Sequence, residues 1–255
     1  MKIEIVCSSF SNNFKLWDEL IKSYEVYASE LLDKFKFTII SNPVLDFDNK
    51  SRVNFFYVKE DYGWSENLIK YLEVTISEYI LVIYDDVFLK SKINLDFLYQ
   101  VLEEYKSNKM SFCRLRNSPL TLKKKFNTNF NIIDIDSPYR TVLSFSIVKR
   151  DILLLLLDAK ENAWDFEYNS PKRSFNINIF ESNKNIFDYI HVIEKGGYRF
   201  PCLFFSNLKS IRKNYNLFIP DPVYAFKIIA GNVFSKMPYF LKRFIYERSS
   251  KLISK

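Results

Sequence analysis

The segment Tyr79-Ile80-Leu81-Val82-Ile83-Tyr84-Asp85-Asp86 constrains this chain more than any other. Five apolar or aromatic residues in a row, without alternation, fit a strand buried on both faces. The run passes through Tyr84 straight into two carboxylates. Both acids therefore stand at the carboxyl edge of a sheet, which is where open α/β folds place their ligands. Adjacent carboxylates repel, and a divalent cation or a shared proton relieves them. Solvated acids in a loop would leave the same trace.

The surrounding pattern alternates strand and helix. Strand composition at 2–7, 37–40 and 53–58 is separated by helical spacing at 17–35 and followed by a helix over 66–77, with Ser65 as its expected N-cap. Ser41-Asn42-Pro43 marks a turn. A helix over 95–105 and a strand over 110–115 come next. The lysine-rich stretch 117–138 suits a loop or a hairpin, 141–148 has strand composition, and 151–157 is an apolar helical turn. Alternation in this order predicts an α/β fold with a largely parallel sheet and right-handed crossovers. From about residue 211 the character changes. The run 223–255 interleaves Lys and Arg with bulky apolar residues at near-helical spacing, which suits an interfacial helix pair on an anionic leaflet or a basic helix packed on its own domain or a partner subunit.

Composition excludes several chemistries. With 4 Gly in 255 residues, neither a dinucleotide fingerprint nor a P-loop is present. Three widely spaced cysteines, Cys7, Cys113 and Cys202, fit buried thiols in a reducing compartment rather than a disulfide framework or a zinc site. One histidine and no nucleophile elbow argue against a Ser-His-Asp hydrolase. The net charge of +7 favours anionic partners without choosing among them. No stretch reaches the roughly 18–20 apolar residues of a membrane span, and the start resembles a first strand rather than a signal peptide. A cytoplasmic protein, peripheral on the inner membrane through the 211–255 segment, is the expectation.

A second acidic block, Glu161-Asn162-Ala163-Trp164-Asp165-Phe166-Glu167, interleaves carboxylates with large aromatics. Acids beside aromatics lose solvent and become better bases. Acids at the positive end of a helix would look the same. Taken in order, Trp64-Ser65-Glu66-Asn67-Leu68, the strand ending in Asp85-Asp86 and the Trp164-Asp165-Phe166-Glu167 block resemble bacterial GT-A-type glycosyltransferases of lipopolysaccharide and capsule assembly. The resemblance covers roughly residues 1–205. It departs from the commoner pattern in one place: the acidic tip is Asp-Asp-Val, not two Asp spaced by one residue.

The resemblance implies a GT-A-like α/β/α sandwich over 1–210, with a nucleotide-binding half (1–90), an acceptor half (91–210) and the basic segment 211–255 appended. It implies a nucleotide-sugar donor, a surface or lipid-linked glycan acceptor, and a divalent cation, Mn²⁺ or Mg²⁺, held by Asp85 and Asp86 with His191 completing the site. By the same analogy Asp165 is the first choice for the base that accepts the acceptor's proton, Glu167 the second and Glu161 the third. Ser8, Ser9, Phe10, Asp61 and Trp64 are expected around the nucleoside, and Arg114 and Arg116 at the diphosphate. No nucleic acid is expected. The rival readings are a metal-dependent nuclease using Asp165, Glu167 and Lys172, and a GT-A domain that binds glycan without turnover.

Overall fold

A computed structural model of the chain describes residues 2–9, 14–43, 52–118, 121–194, 197, 198, 237 and 241. The basic run 223–255 and its expected helices therefore lie outside the described residues, save for two isolated positions. In chain order the elements are β1 (Ile3–Ser8), α1 (Phe14–Tyr27), α2 (Ser29–Lys34), β2 (Lys36–Ser41), β3 (Asn54–Tyr57), α3 (Trp64–Val74), β4 (Tyr79–Ile83), β5 (Val87–Leu89), α4 (Leu95–Ser107), β6 (Phe112–Arg114), β7 (Lys123–Lys125), β8 (Phe130–Ile133), β9 (Ser146–Lys149), α5 (Arg150–Leu156), α6 (Ala163–Arg173), β10 (Phe180–Ser182), β11 (Tyr189–His191), β12 (Ile193–Glu194) and β13 (Gly197–Tyr198).

Nine strands form one sheet in the order β3-β2-β1-β4-β9-β6-β10-β8-β7. β1, β2, β3 and β4 pair in parallel, as do β6 and β10. β9 runs antiparallel to both β4 and β6, and β8 antiparallel to both β10 and β7. All strands but β8 and β9 thus point one way, and the ends of β1, β4 and β6 meet at one edge. A separate ribbon pairs β5 with β11.

Helices cover both faces. Ile5, Cys7, Leu81 and Ile83 pack with Trp17, Leu20 and Tyr24 of α1, Leu31 of α2 and Leu98 and Val101 of α4. Val6, Ile80, Val82 and Phe112 turn the other way, against Leu68 and Leu72 of α3, Leu153 and Leu156 of α5 and Phe166 of α6. Side chains alternate across a strand, so a central strand between two helical layers is apolar on both faces along most of its length. Each such side chain contributes about 1.5–3 kcal/mol.

Two local expectations differ. The helical spacing over 17–35 is split at Ala28, because the Tyr27 carbonyl accepts from the Ile93 backbone instead of continuing the helical ladder (3.2 Å). Ser65 does not cap α3. Gly63 does, at φ 99°, a conformation that glycine adopts without Cβ strain, and Ser65 lies buried one residue inside the helix.

Two carboxylates are fully buried, each with donors. Glu4 on β1 accepts from Thr38 and Thr75 (2.7 Å each), from Lys36 (3.0 Å) and from the Tyr71 hydroxyl. Glu181 on β10 meets Arg114 (3.3 Å), Thr121 (3.3 Å) and Lys123. Cys7 and Cys113 are buried free thiols. Among the described residues no helix is long and apolar enough to cross a membrane.

Candidate functional site

β1 ends in Ser8 and leads to Ser9; β4, its parallel neighbour in the register Cys7↔Ile83, ends in Ile83 and leads to Tyr84-Asp85-Asp86. That register sets the Ser9 hydroxyl against Asp85, and it donates to Oδ2 at 2.6 Å. The Trp17 indole donates in turn to Ser9 Oγ (2.8 Å), so α1 fixes the serine that fixes the acid. Ser8 Oγ donates to the Trp64 carbonyl at the start of α3 (3.4 Å).

Asp86 points elsewhere. The β5–β11 ribbon aligns His191 with Val87, and the Val192 backbone donates to the Asp86 carbonyl (2.7 Å). His191 Nδ1 is thereby carried to 3.4 Å from Asp86 Oδ2, across 105 residues of chain. The Asp86 side chain keeps 23% of its surface in solvent, and that of His191 36%, so a ligand reaches both. Among the described residues no three His, Cys, Asp or Glu side chains form a cage for a metal ion. The carboxylate and imidazole of this pair stand together, while Asp85 is engaged by Ser9.

The second acidic block lies on α6, and the helix sorts its acids. Asn162 is the N-cap: its side chain accepts from the backbones of Trp164 (2.8 Å) and Asp165 (3.0 Å), while the Asp165 carboxylate accepts from the Asn162 backbone (3.4 Å). This is a capping box, and Asp165 serves its own helix. Glu161 is bidentate with Arg173 at 2.8 and 2.5 Å, pinning the loop before α6 to the helix end. Glu167 alone turns into the site. Tyr84, the residue between β4 and the paired aspartates, donates its hydroxyl to Glu167 Oε1 at 2.8 Å.

Burial raises the Glu167 carboxyl above the ordinary glutamate range; the Tyr84 hydrogen bond and the positive charges of Arg116 and Arg114 oppose that rise without cancelling it. Burial beside Glu167 and Asp86 pushes the Tyr84 phenol well up, so it stays a donor. Trp64 closes this side: its ring packs on Tyr84 (6.4 Å between centroids) and on Phe166 (5.8 Å).

The two arginines at the end of β6 part company. Arg114 is buried against Glu181 and Thr121, with burial drawing its guanidinium down to about 10; it belongs to the sheet and not to an open diphosphate site, a correction to the expectation from sequence. Arg116 stays half-buried at the rim, where Nη1 donates to the Tyr189 hydroxyl at 2.6 Å. Tyr189 lies on β11 two residues before His191, and their rings meet edge to face at 5.5 Å. Asp61 binds its own loop, accepting from the Gly63 backbone (3.0 Å) and the Asn67 amide (2.8 Å). Phe10 lies outside the described residues.

The structure therefore brings Asp85, Asp86, His191, Ser9, Trp64, Arg116 and Glu167 to one edge of the sheet. It leaves Asp165, Glu161 and Arg114 in structural pairings. Tyr84 and Tyr189 are the members the sequence reading assigned no role. Each carried a signal: Tyr84 sits inside the acid-tipped strand, and Tyr189 is two positions from the lone histidine, on the same side of a strand.

No family model matches the chain, and no curated protein matches it. Solved structures do. The chain is similar to the crystal structure of S. aureus TarS 1–349, at 14% identity over 98% of this chain and 73% of that one, with a TM-score of 0.54. The same protein in complex with UDP-GlcNAc matches at 15% identity over 86% of this chain and 68% of that one, with a TM-score of 0.55. Its complex with UDP matches at 14% identity over 86% and 67%, again with a TM-score of 0.55. At this identity the likeness shows the fold: a mixed α/β, GT-A-like sandwich on a mostly parallel sheet.

Proposed function

We propose that this chain is a glycosyltransferase that moves a sugar from a nucleotide-sugar donor to a hydroxyl of a surface or lipid-linked glycan. The observation that carries this reading is Glu167. It is a half-buried carboxylate with a raised pKa, held by Tyr84 on the same rim as Asp86, His191 and Arg116. A shared fold with a chain crystallised with UDP-GlcNAc and with UDP supports the choice of donor class.

The chemistry assigns each group a task. Glu167 Oε accepts the proton of the acceptor hydroxyl, whose oxygen forms a new bond to the anomeric carbon of the donor sugar. The bond from that carbon to the phosphate oxygen breaks, and its electron pair leaves on the nucleoside diphosphate. A single displacement of this kind inverts the anomeric centre. General-base assistance of this type is worth about 10²–10⁴ in rate. The Tyr84 hydrogen bond to a charged acceptor, about 1.5–3 kcal/mol, orients the carboxylate and keeps it ionised despite its burial. Arg116, braced by Tyr189, supplies a fixed positive charge for the departing diphosphate.

Asp86 and His191 fit a divalent cation that completes its shell with phosphate oxygens and water, since Mg²⁺ and Mn²⁺ sites need only one or two protein ligands beside substrate phosphate. Bound there, such a cation would neutralise charge on the leaving diphosphate. Asp85 is tied to Ser9 on the β1 side of the rim. The acid-acid-lysine set of a nuclease is not assembled: Asp165 caps α6, Glu167 turns to Tyr84, and Lys172 lies 5.8 Å over the Tyr168 ring.

A thermal-shift panel of UDP-, GDP-, CMP- and dTDP-sugars, with and without Mn²⁺, tests the reading on wild type and Asp86→Ala. At a hundred times Kd a ligand stabilises by about 2.7 kcal/mol, which for a chain of this size raises Tm by about 5–10 °C. One nucleotide should do so with metal and fail in the variant. If no nucleotide moves the melting point under any condition, the transferase reading is wrong.

A further inference from the structure

α6 carries two large aromatics that neither the core nor the proposed chemistry uses. Its inner face is spent on Phe166 and Ser170, both fully buried, and its flank on Glu167. Trp164 and Tyr168, spaced i and i+4, form one stripe on the outer side, 79% and 55% exposed. An indole four-fifths in water is costly on a surface without a partner, and grouped exposed aromatics mark binding sites. The stripe is also held rigid. The Asn162 cap fixes the Trp164 backbone, and buried Arg140 donates to the carbonyls of Ser174 (2.9 Å) and Ile177 (3.0 Å) at the far end of the helix. Lys172, one turn beyond Tyr168, continues the same face.

We propose that Trp164 and Tyr168 form an acceptor subsite on which an oligosaccharide stacks while its terminal hydroxyl meets Glu167. The inference rests on the transferase reading and adds to it that the acceptor spans more than one sugar. Trp164 precedes Glu167 by three residues, which sets their Cβ atoms about 5–6 Å apart on neighbouring faces. That separation is comparable to the step from one pyranose ring to the next. A sugar presented to Glu167 therefore places its neighbour over the Trp164 indole, whose flat face suits the C–H face of a pyranose. Tyr168 receives the ring after it, and Lys172 gives that end of the stripe a positive charge suited to an acidic sugar or a phosphate.

The test is a printed array of defined oligosaccharides of one to six sugars, probed with the full chain as wild type, Trp164→Ala, Tyr168→Ala and Ile76→Ala. UDP-, GDP-, CMP- and dTDP-sugar binding is measured on the same samples by thermal shift. Wild type should retain a set of glycans of two or more sugars. Trp164→Ala should weaken that set at least about tenfold, Tyr168→Ala by less, and Ile76→Ala, an exposed apolar side chain at the opposite end of the sheet, should leave it in place; nucleotide binding should be equal in all four. Glycan binding that is equal in wild type and Trp164→Ala overturns the subsite. So does an absence of glycan binding, or a Trp164→Ala effect confined to self-association in sedimentation or to anionic-vesicle binding. Retained nucleotide binding in those cases leaves the donor reading standing, whereas glycan binding without any nucleotide response separates the two in the other direction.

Discussion

Glu167 and Asp165 stand two positions apart on α6 and so face nearly opposite sides of it. One carboxylate closes the helix's own N-terminus; the other is drawn under Tyr84. Removing each should therefore fail differently. With the donor that the nucleotide panel identifies, Glu167→Gln should lower kcat by about 10²–10⁴ while nucleotide affinity holds. Asp165→Ala, which removes the acceptor of the bond from the Asn162 backbone, should cost about 0.5–1.5 kcal/mol of stability and leave kcat within a few-fold. Tyr84→Phe carries the finer prediction. Glu167 must be ionised to accept a proton, burial raises its pKa, and the Tyr84 hydroxyl holds it down. The acid limb of kcat/KM should then lie above the ordinary carboxylate range and move to still higher pH in Tyr84→Phe; a limb that stays put or falls would show that Tyr84 does not act through Glu167. The sequence reading ranked Asp165 first because composition shows that acids cluster, not which side of a helix each one faces. The capping signature was there in Asn162 and Asp165, three residues apart, but so was the aromatic context that argued for a base.

At the level of elements, the buried pair Arg114–Glu181 ties β6 to β10 in register, with Lys123 of β7 reaching the same carboxylate. Glu181→Ala leaves the Arg114 guanidinium buried without its carboxylate, at an expected cost of about 3–5 kcal/mol, whereas Lys123 near the sheet edge turns to water. Urea unfolding should show the midpoint falling with an unchanged m-value; a loss below about 1 kcal/mol would mean that the pair contributes little to holding these strands. That the last residue of β6, Arg114, would be structural was not legible, since its partner lies 67 positions later. β4 was fully legible, because burial on two faces leaves a continuous apolar run. So was the helix over 95–105, whose Asn94 side chain caps it by accepting from the Phe97 backbone (2.9 Å). The antiparallel direction of β9 was not, as strand composition carries no arrow. β5 and β11, three residues each, are too short for periodicity to register, yet they deliver His191 to Asp86.

Across the whole molecule the sheet divides its charges between its two edges. Glu4 lies on β1 away from the reactive rim, and there burial, which alone would raise its carboxyl, is outweighed by donors from Tyr71, Thr38, Thr75 and Lys36. Glu167 lies at the opposite edge, where burial wins. The consequences for stability have opposite signs. Glu4, lowered in the fold, contributes stability above its unfolded pKa of about 4.3 that is lost as pH falls through the folded value. Glu167, raised in the fold, is most favourable below that unfolded pKa and costs stability as pH rises toward its folded value, so at neutral pH it is a charge kept for chemistry at the expense of the fold. Melting curves from pH 3.5 to 8 (range set by the carboxylate pKa, approximately) on wild type, Glu4→Gln and Glu167→Gln separate the two. Glu4→Gln should lower Tm at neutral pH and flatten its decline in acid. Glu167→Gln should raise Tm at neutral pH, with the gain vanishing toward pH about 4. If Glu167→Gln destabilises the chain at pH 7 as Glu4→Gln does, then the Glu167 carboxylate is part of the scaffold, and the case for it as the base fails with it.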